Sequence, residues 1–235
     1  ELPWRERVGA VLLAWFPGQE GGAGLADVLF GRAEPGGRLP TTWPAALADA
    51  PVTRTRPDGG RLAYDEGLHL GYRGWLRHRH APAYWFGHGL GYTTWSYDEL
   101  TLPATATATA TAGTGTGTTG TGTGRTGPGD DLTVRVRVRN TGARAGREVV
   151  QVYLARPASA LDRPVRWLAG YAAVRARPGE AVTATVRVPA RALCHWSVEE
   201  HAWRTEAGHW RVLAGRSAGD VPLAADLEVV RAPEE

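Results

Sequence analysis

The chain has 235 residues, of which 43% are apolar and 22% charged, with a net charge of +3. That is room for one large domain or two modest ones, each able to bury a core. All 27 basic residues are Arg, interleaved among 24 acids, which gives no concentrated positive field for a nucleic acid. No apolar run reaches the roughly 18 residues a membrane-spanning helix needs. The one cysteine, Cys194, cannot close an internal disulfide, and its presence leaves the compartment open, secreted or cytoplasmic. Met is absent even at position 1, so the chain is expected to begin inside a longer protein or after processing.

Three textures follow one another. Residues 1–95 are rich in Gly, Pro and Trp. Within them, residues 8–16 form an apolar run bounded by Pro17-Gly18, which predicts a buried strand. Residues 19–30 predict a short helix: Leu25, Val28 and Leu29 recur at helical spacing, Glu20 lies in the first turn and Gly31 supplies the stop. Leu39-Pro40 and Trp43-Pro44 predict extended segments, since a residue before proline avoids the helical region. Residues 45–63 read as an exposed loop, 68–75 as a strand, and 82–95 as a glycine-broken loop crowded with aromatics.

Residues 101–129 alternate Thr with Ala and then Thr with Gly. Such a tract cannot bury enough apolar surface to offset its ordering entropy, so a loop without fixed structure is expected. Residues 130–231 change to period two. Leu132, Val134, Val136 and Val138 alternate with Thr133, Arg135, Arg137 and Arg139, as a half-buried strand requires. Asn140-Thr141-Gly142 predicts a turn. Val150, Val152 and Leu154 then oppose Val149, Gln151 and Tyr153, and Val182, Ala184, Val186 and Val188 repeat the pattern after a turn at 177–180. Two further strands are predicted at 210–214 and 223–229. Short alternating strands between Gly/Pro turns indicate an antiparallel β-sandwich.

Few residues suggest chemistry. Asp65 and Glu66 are adjacent, so on a strand they would point to opposite faces rather than converge, and a surface or turn role is expected. Asp27 falls inside the helix pattern and suits a local hydrogen bond or packing at a domain boundary. His78 and His80 flank Arg79, but without neighbouring acidic or Cys ligands they are weak evidence for a metal, and Cys194-His195 with His201 lacks a fourth ligand. Gly18, Gly21 and Gly22 have neither the Lys-Ser/Thr step nor the spacing of a nucleotide loop. No metal or cofactor is expected. Trp15, Phe16, Trp43, Trp85, Phe86, Tyr92 and Trp95 could stack on sugar rings, although core and interface packing is the plainer role for large aromatics. His88, inside the aromatic loop, suits a structural hydrogen bond.

Several segments together resemble family 3 glycoside hydrolases. Trp15-Phe16-Pro17-Gly18-Gln19-Glu20-Gly21-Gly22 followed by Ala26-Asp27-Val28-Leu29-Phe30-Gly31 is similar to the strand, loop and helix of that family's second domain. Pro35-Gly36-Gly37-Arg38-Leu39-Pro40 through Trp43-Pro44, Tyr64-Asp65-Glu66-Gly67 with Gly71-Tyr72-Arg73, and Phe86-Gly87-His88-Gly89-Leu90-Gly91-Tyr92 continue it in order. Asn140-Thr141-Gly142, Gly146 to Tyr153, and Arg163-Pro164-Val165 with Leu168-Ala169-Gly170-Tyr171 resemble the fibronectin type III-like domain that follows in the family.

The resemblance implies a partial α/β sandwich domain over 1–95, then an all-β fibronectin type III-like (immunoglobulin-like) sandwich over 96–235, with 101–129 as a low-complexity insertion. That tract falls where the family has its first sandwich strand and turn. The implied activity is retaining hydrolysis of β-glucosides or related β-glycosides by two carboxylates roughly 5–5.5 Å apart. In the family the nucleophile lies on an N-terminal barrel domain and the acid/base on an earlier loop of the second domain, so neither maps onto this sequence. The expected partners are a carbohydrate substrate in the full-length enzyme and that barrel, with no nucleic acid and no membrane. Glu20 is left as a candidate for the wall of a site behind the reacting groups, or for a structural role at the helix start. A β-sandwich binding or interaction module without catalysis is the alternative, and a truncated gene product a third.

Overall fold

The structure is a computed structural model describing residues 2–51, 56–78, 80–103, 124–126 and 131–230. Residues 2–92 hold little regular structure. Helix α1 spans Gly21–Leu29, as the apolar spacing predicts, and ends where Gly31 takes a φ of 70°. There the amides of Phe30, Gly31 and Arg32 turn back onto the carbonyls of Ala26, Val28 and Asp27. Its apolar side chains are not covered: Leu25 is 39% and Leu29 63% exposed.

Two expectations fail in this region. Residues 8–16 form no strand, and Val11, Leu12 and Phe16 are exposed. A strand of this apolar kind belongs inside a sheet with neighbours on both sides, and no described segment pairs with it. Residues 68–75 are not a strand either. They make a turn followed by the single helical turn α2, Tyr72–Trp75, entered through Gly71 at a φ of 54°. The amides of Arg73 and Trp75 close on the carbonyls of Leu70 and Gly71, and Trp75 is buried. The two proline-punctuated segments are extended as expected. Trp43 bridges Tyr84, while the Leu39 amide donates to His88 and the Gly87 amide to Leu39.

The period-two region forms the predicted sandwich. Strand β1 spans Trp95–Thr101, β2 Gly124–Thr126, β3 Leu132–Asn140, β4 Gly146–Ala155 and β5 Trp167–Ala176. Strand β6 spans Ala181–Val188, β7 Cys194–Ser197, β8 Ala202–Thr205, β9 Gly208–Gly215 and β10 Leu223–Val229. One sheet runs β1-β3-β6 and the other β2-β10-β9-β4-β5, with β7 and β8 as a separate hairpin. All pairings are antiparallel except β2 on β10. The first sandwich strand, β1, therefore precedes the Thr-rich tract instead of falling within it. Residues 104–123 and 127–130 lie outside the described residues, and 124–126 are strand rather than loop.

Between the sheets, Leu100, Val136, Val152, Leu154, Val186 and Leu227 pack around Trp210, whose ring meets Trp167 edge to face at 5.7 Å. A second core lies on the outer face of the five-stranded sheet. There Tyr153, Ala155, Leu213 and Ala218 are covered by Tyr72, Trp85 and Phe86 from the first region. Strand β4 is thus buried on both faces, which ties the two regions together.

Candidate functional site

The described residues line a cavity of about 800 Å³, open to solvent, between residues 8–15, α1, the loop 34–40 and residues 84–90. Its walls are largely apolar, with Arg5, Glu34, Arg38, Tyr84 and His88 as the charged or titratable members. Glu34 is the one carboxylate in this lining, and Oε1 accepts the Tyr92 amide at 3.1 Å. Tyr92 in turn donates its hydroxyl to the Val28 carbonyl at 2.5 Å and lies under the Arg144 guanidinium, 5.2 Å from the ring centre. Glu34 therefore fastens the aromatic loop against α1. His88 stacks on Tyr84 at 5.2 Å, and its pKa is lowered first by burial and then by Arg38, with Asp220 acting in the opposite sense. Its backbone amide and carbonyl bond Trp85 and Leu39.

The predicted carboxylates do not converge: Glu20, Asp27, Asp65 and Glu66 all lie outside the cavity lining. Glu20 is the N-cap of α1, makes no side-chain capping bond, is exposed, and does not line the cavity. Asp27 makes a local pair with Arg32 at 3.4 Å, as expected. Asp65 and Glu66 sit in a turn closed by the His69 amide on the Glu66 carbonyl. Among the aromatics, Trp95 joins the sandwich core and Trp85 and Phe86 the second core, Trp15 and Trp43 line the cavity, and Phe16 faces solvent. His80 pairs with Asp49 at 2.9 Å, and the His78 ring packs on Trp75. Cys194 Sγ meets the Thr205 hydroxyl at 3.3 Å, whereas His195 turns to Arg163. Among the described residues no group of three His, Cys, Asp or Glu is placed to hold a metal ion.

Buried polar side chains lie instead along the seam between the first region and the sandwich. Glu148 on β4 is buried, and its Oε1 receives the Val149 amide at 3.1 Å, the Tyr97 hydroxyl at 3.3 Å and Arg38 Nη2 at 3.5 Å. Burial raises the Glu148 carboxyl above the usual glutamate range, and Arg38, the Val149 amide and Arg216 only oppose it. Burial likewise raises Tyr97. Gln151 Nε2 donates to the carbonyls of Gly87 and Arg216, and its Oε1 accepts from the Tyr153 hydroxyl at 2.6 Å. Two glycines make this approach possible. A Cβ on Gly87, at a φ of 83°, would run into Gln151, and one on Gly219 would run into Trp85.

Sequence reasoning missed this seam, although one signal was available. Glu148 has the same parity as Val150, Val152 and Leu154, so it points into the sandwich. An inward-facing acid on a core strand calls for a partner. The partner, Arg38, lies 110 residues away.

Comparison with known proteins places both regions. Residues 1–92 match the Glycosyl hydrolase family 3 C-terminal domain, and residues 148–218 match the Fibronectin type III-like domain. The chain is 36% identical over 231 residues to a probable beta-glucosidase K of Emericella nidulans, covering 97% of this chain and 24% of that protein. It is 37% identical over 234 residues to a beta-glucosidase of Rhizobium radiobacter, covering 97% of this chain and 26% of that protein. Among solved structures, DesR, a beta-glucosidase from Streptomyces venezuelae in complex with D-glucose, superposes with a TM-score of 0.81 at 34% identity, over 97% of this chain and 27% of that one. The chain spans about a quarter of the length of the relatives it matches.

Proposed function

We propose that this chain, which carries the C-terminal domain of family 3 glycoside hydrolases followed by a fibronectin type III-like domain, is the scaffold part of a retaining hydrolase of β-glucosides or related β-glycosides. The two units divide at residues 95/96. Bond breaking belongs to polypeptide outside this stretch, so the isolated chain is inactive. One observation carries the reading. Retaining hydrolysis needs two convergent carboxyl groups roughly 5–5.5 Å apart, yet Glu34 is the one carboxylate among the described residues that line the cavity, and it is already bonded to the Tyr92 amide. The substrate class comes from the beta-glucosidases it is similar to, each about four times its length.

Assayed on an aryl β-glucoside, the isolated chain is expected to show no turnover above background. Turnover that is lost on Glu20→Gln would contradict both the inactivity and the peripheral position of Glu20. A second reading, a β-sandwich binding module without catalysis, has one observation in its favour. Trp196 and Trp203 pair across the β7–β8 hairpin with their rings 5.5 Å apart, and each remains 47% exposed. Calorimetric titration with soluble β-glucans decides it: heat that disappears on Trp196→Ala favours the module, and a flat trace removes it.

A further inference from the structure

We propose that Arg166 and Arg211 form a binding site for an oxyanion, the phosphate or carboxylate group of a small ligand, on the outer face of the five-stranded sheet. The strand registers place the two side chains in one row. Ala155 on β4 pairs with Arg211 on β9. On its other side Leu154 pairs with Trp167, the first residue of β5, which sets Arg166 beside Ala155. Trp210 and Val212 belong to the core between the sheets and Trp167 packs against it, so alternation turns Arg166 and Arg211 outward, together with Ala155. Ala155 carries no large side chain to hold the two guanidinium groups apart.

Among the described residues neither Arg166 nor Arg211 has a side-chain hydrogen bond or an ion pair, and the Arg166 Nε is buried without an acceptor. By contrast Arg38, Arg156 and Arg163, with side chains 9–10% exposed, each have an acid: Glu148 at 3.5 Å for Arg38, and Glu206 at 3.8 and 3.1 Å for the other two. The acids of the adjoining loop and strand are taken. Asp162, in the loop before β5, accepts from Arg77 and pairs with His69. Glu206 is closed by the Ser159 hydroxyl, the Ala160 amide and Arg163. Asp226 stands opposite Arg211 in the register, but its carboxylate contacts His209 at 3.3 Å. From the covering turn α2, Arg73 lies over the Tyr72 ring at 6.0 Å and adds positive charge.

A guanidinium drawn partly out of water without an anion carries a desolvation cost that no protein group offsets here. Burial lowers the Arg166 pKa, Tyr153 opposes that, and Arg211 adds to it, as two like charges sharing one row do. An oxyanion that accepts from both side chains relieves the repulsion and supplies the missing acceptors. The planar fork of arginine offers paired N–H donors that match the oxygens of a carboxylate or phosphate, which favours such a group over a neutral hydroxyl. The site also adjoins the seam. Leu168, the next outward residue on β5, donates its amide to the Tyr72 hydroxyl at 2.8 Å, and the Tyr72 ring meets Tyr153 edge on at 6.2 Å. An anion held by Arg166 thus sits at the border of the second core, beside a contact between the two regions.

Nitrogen NMR of the full chain with labelled arginine tests the site. The Arg166 Nε–Hε resonance is followed while inorganic phosphate, or separately glucuronate, replaces chloride at fixed pH and ionic strength. A saturating shift is expected with at least one of them; phosphate alone identifies a phosphoryl ligand, and glucuronate an acidic sugar. Arg211→Gln, at an exposed position, is expected to weaken that binding by about tenfold, the loss of one charge-assisted bond. Shifts that grow without saturating for both anions mean an adventitious ion only and overturn the proposal, as does unchanged affinity in the variant. Thermal unfolding gives a second readout. The gain in midpoint from the binding anion over chloride is expected to shrink in Arg166→Gln, and an equal gain in both proteins rejects the site.

Discussion

Asn140 shows how a residue readable as a turn former does more than make a turn. Its Oδ1 accepts the Gly142 amide, the local bond that Asn-Thr-Gly implies, and also the Thr93 hydroxyl at 2.5 Å. Its Nδ2 donates to the carbonyls of Arg144 and Ala176. The side chain is fully buried, and removing it leaves the buried Ala176 carbonyl without this donor and the other three groups without their local partner. Asn140→Ala is expected to lower stability by about 1–3 kcal/mol in urea unfolding; a change within about 0.5 kcal/mol would show the network to be dispensable. The local half of this site was legible because an Asx turn is written in consecutive residues. The distant half was not, since nothing at position 140 points to Thr93 or Ala176. Glu148 lies between these cases: its parity was visible, but its partner was not.

Strands were the most legible elements because their period-two signal is repeated over several residues and checked by burial on one face. In β3 and β6 the alternation sets both the register and the inward side chains, Val136 opposite Ala184 and Val138 opposite Val182. The single turn α2 was misread because four residues are too few to show a period, and its entry depends on the conformation of Gly71. The run 8–16 was misread for another reason. Its composition is that of a buried strand, but a strand also needs neighbours, and composition does not supply them. Two substitutions contrast these elements. Leu227→Ala, inside the sandwich core, is expected to cost about 2–5 kcal/mol. Leu25→Ala, on the uncovered face of α1, is expected to fall within about 0.5 kcal/mol. Equal losses at both positions would contradict this division between covered and uncovered faces.

Across the whole molecule, the fold class and the order of the two regions were readable, and their mutual dependence was not. Among the described residues 2–92, Trp75 is the one large apolar side chain that is buried. Tyr72, Trp85 and Phe86 of that region pack against Tyr153, Leu213 and Ala218 of the sandwich. Residues 1–95 alone, with apolar side chains exposed on α1 and on 8–16, are expected to give a lower soluble yield than 95–230. A piece begun at residue 130 would lose β1 and leave β3 with a free edge, so it is a poorer choice of boundary.

The central claim concerns chemistry rather than folding, and a trapping reagent reaches it most directly. A 2-deoxy-2-fluoro aryl β-glucoside leaves a covalent glycosyl ester on any competent carboxylate nucleophile, and intact-mass spectrometry reads the added mass. The isolated chain is expected to remain unlabelled after prolonged incubation. A stoichiometric adduct mapped to any of its Asp or Glu residues would contradict the account.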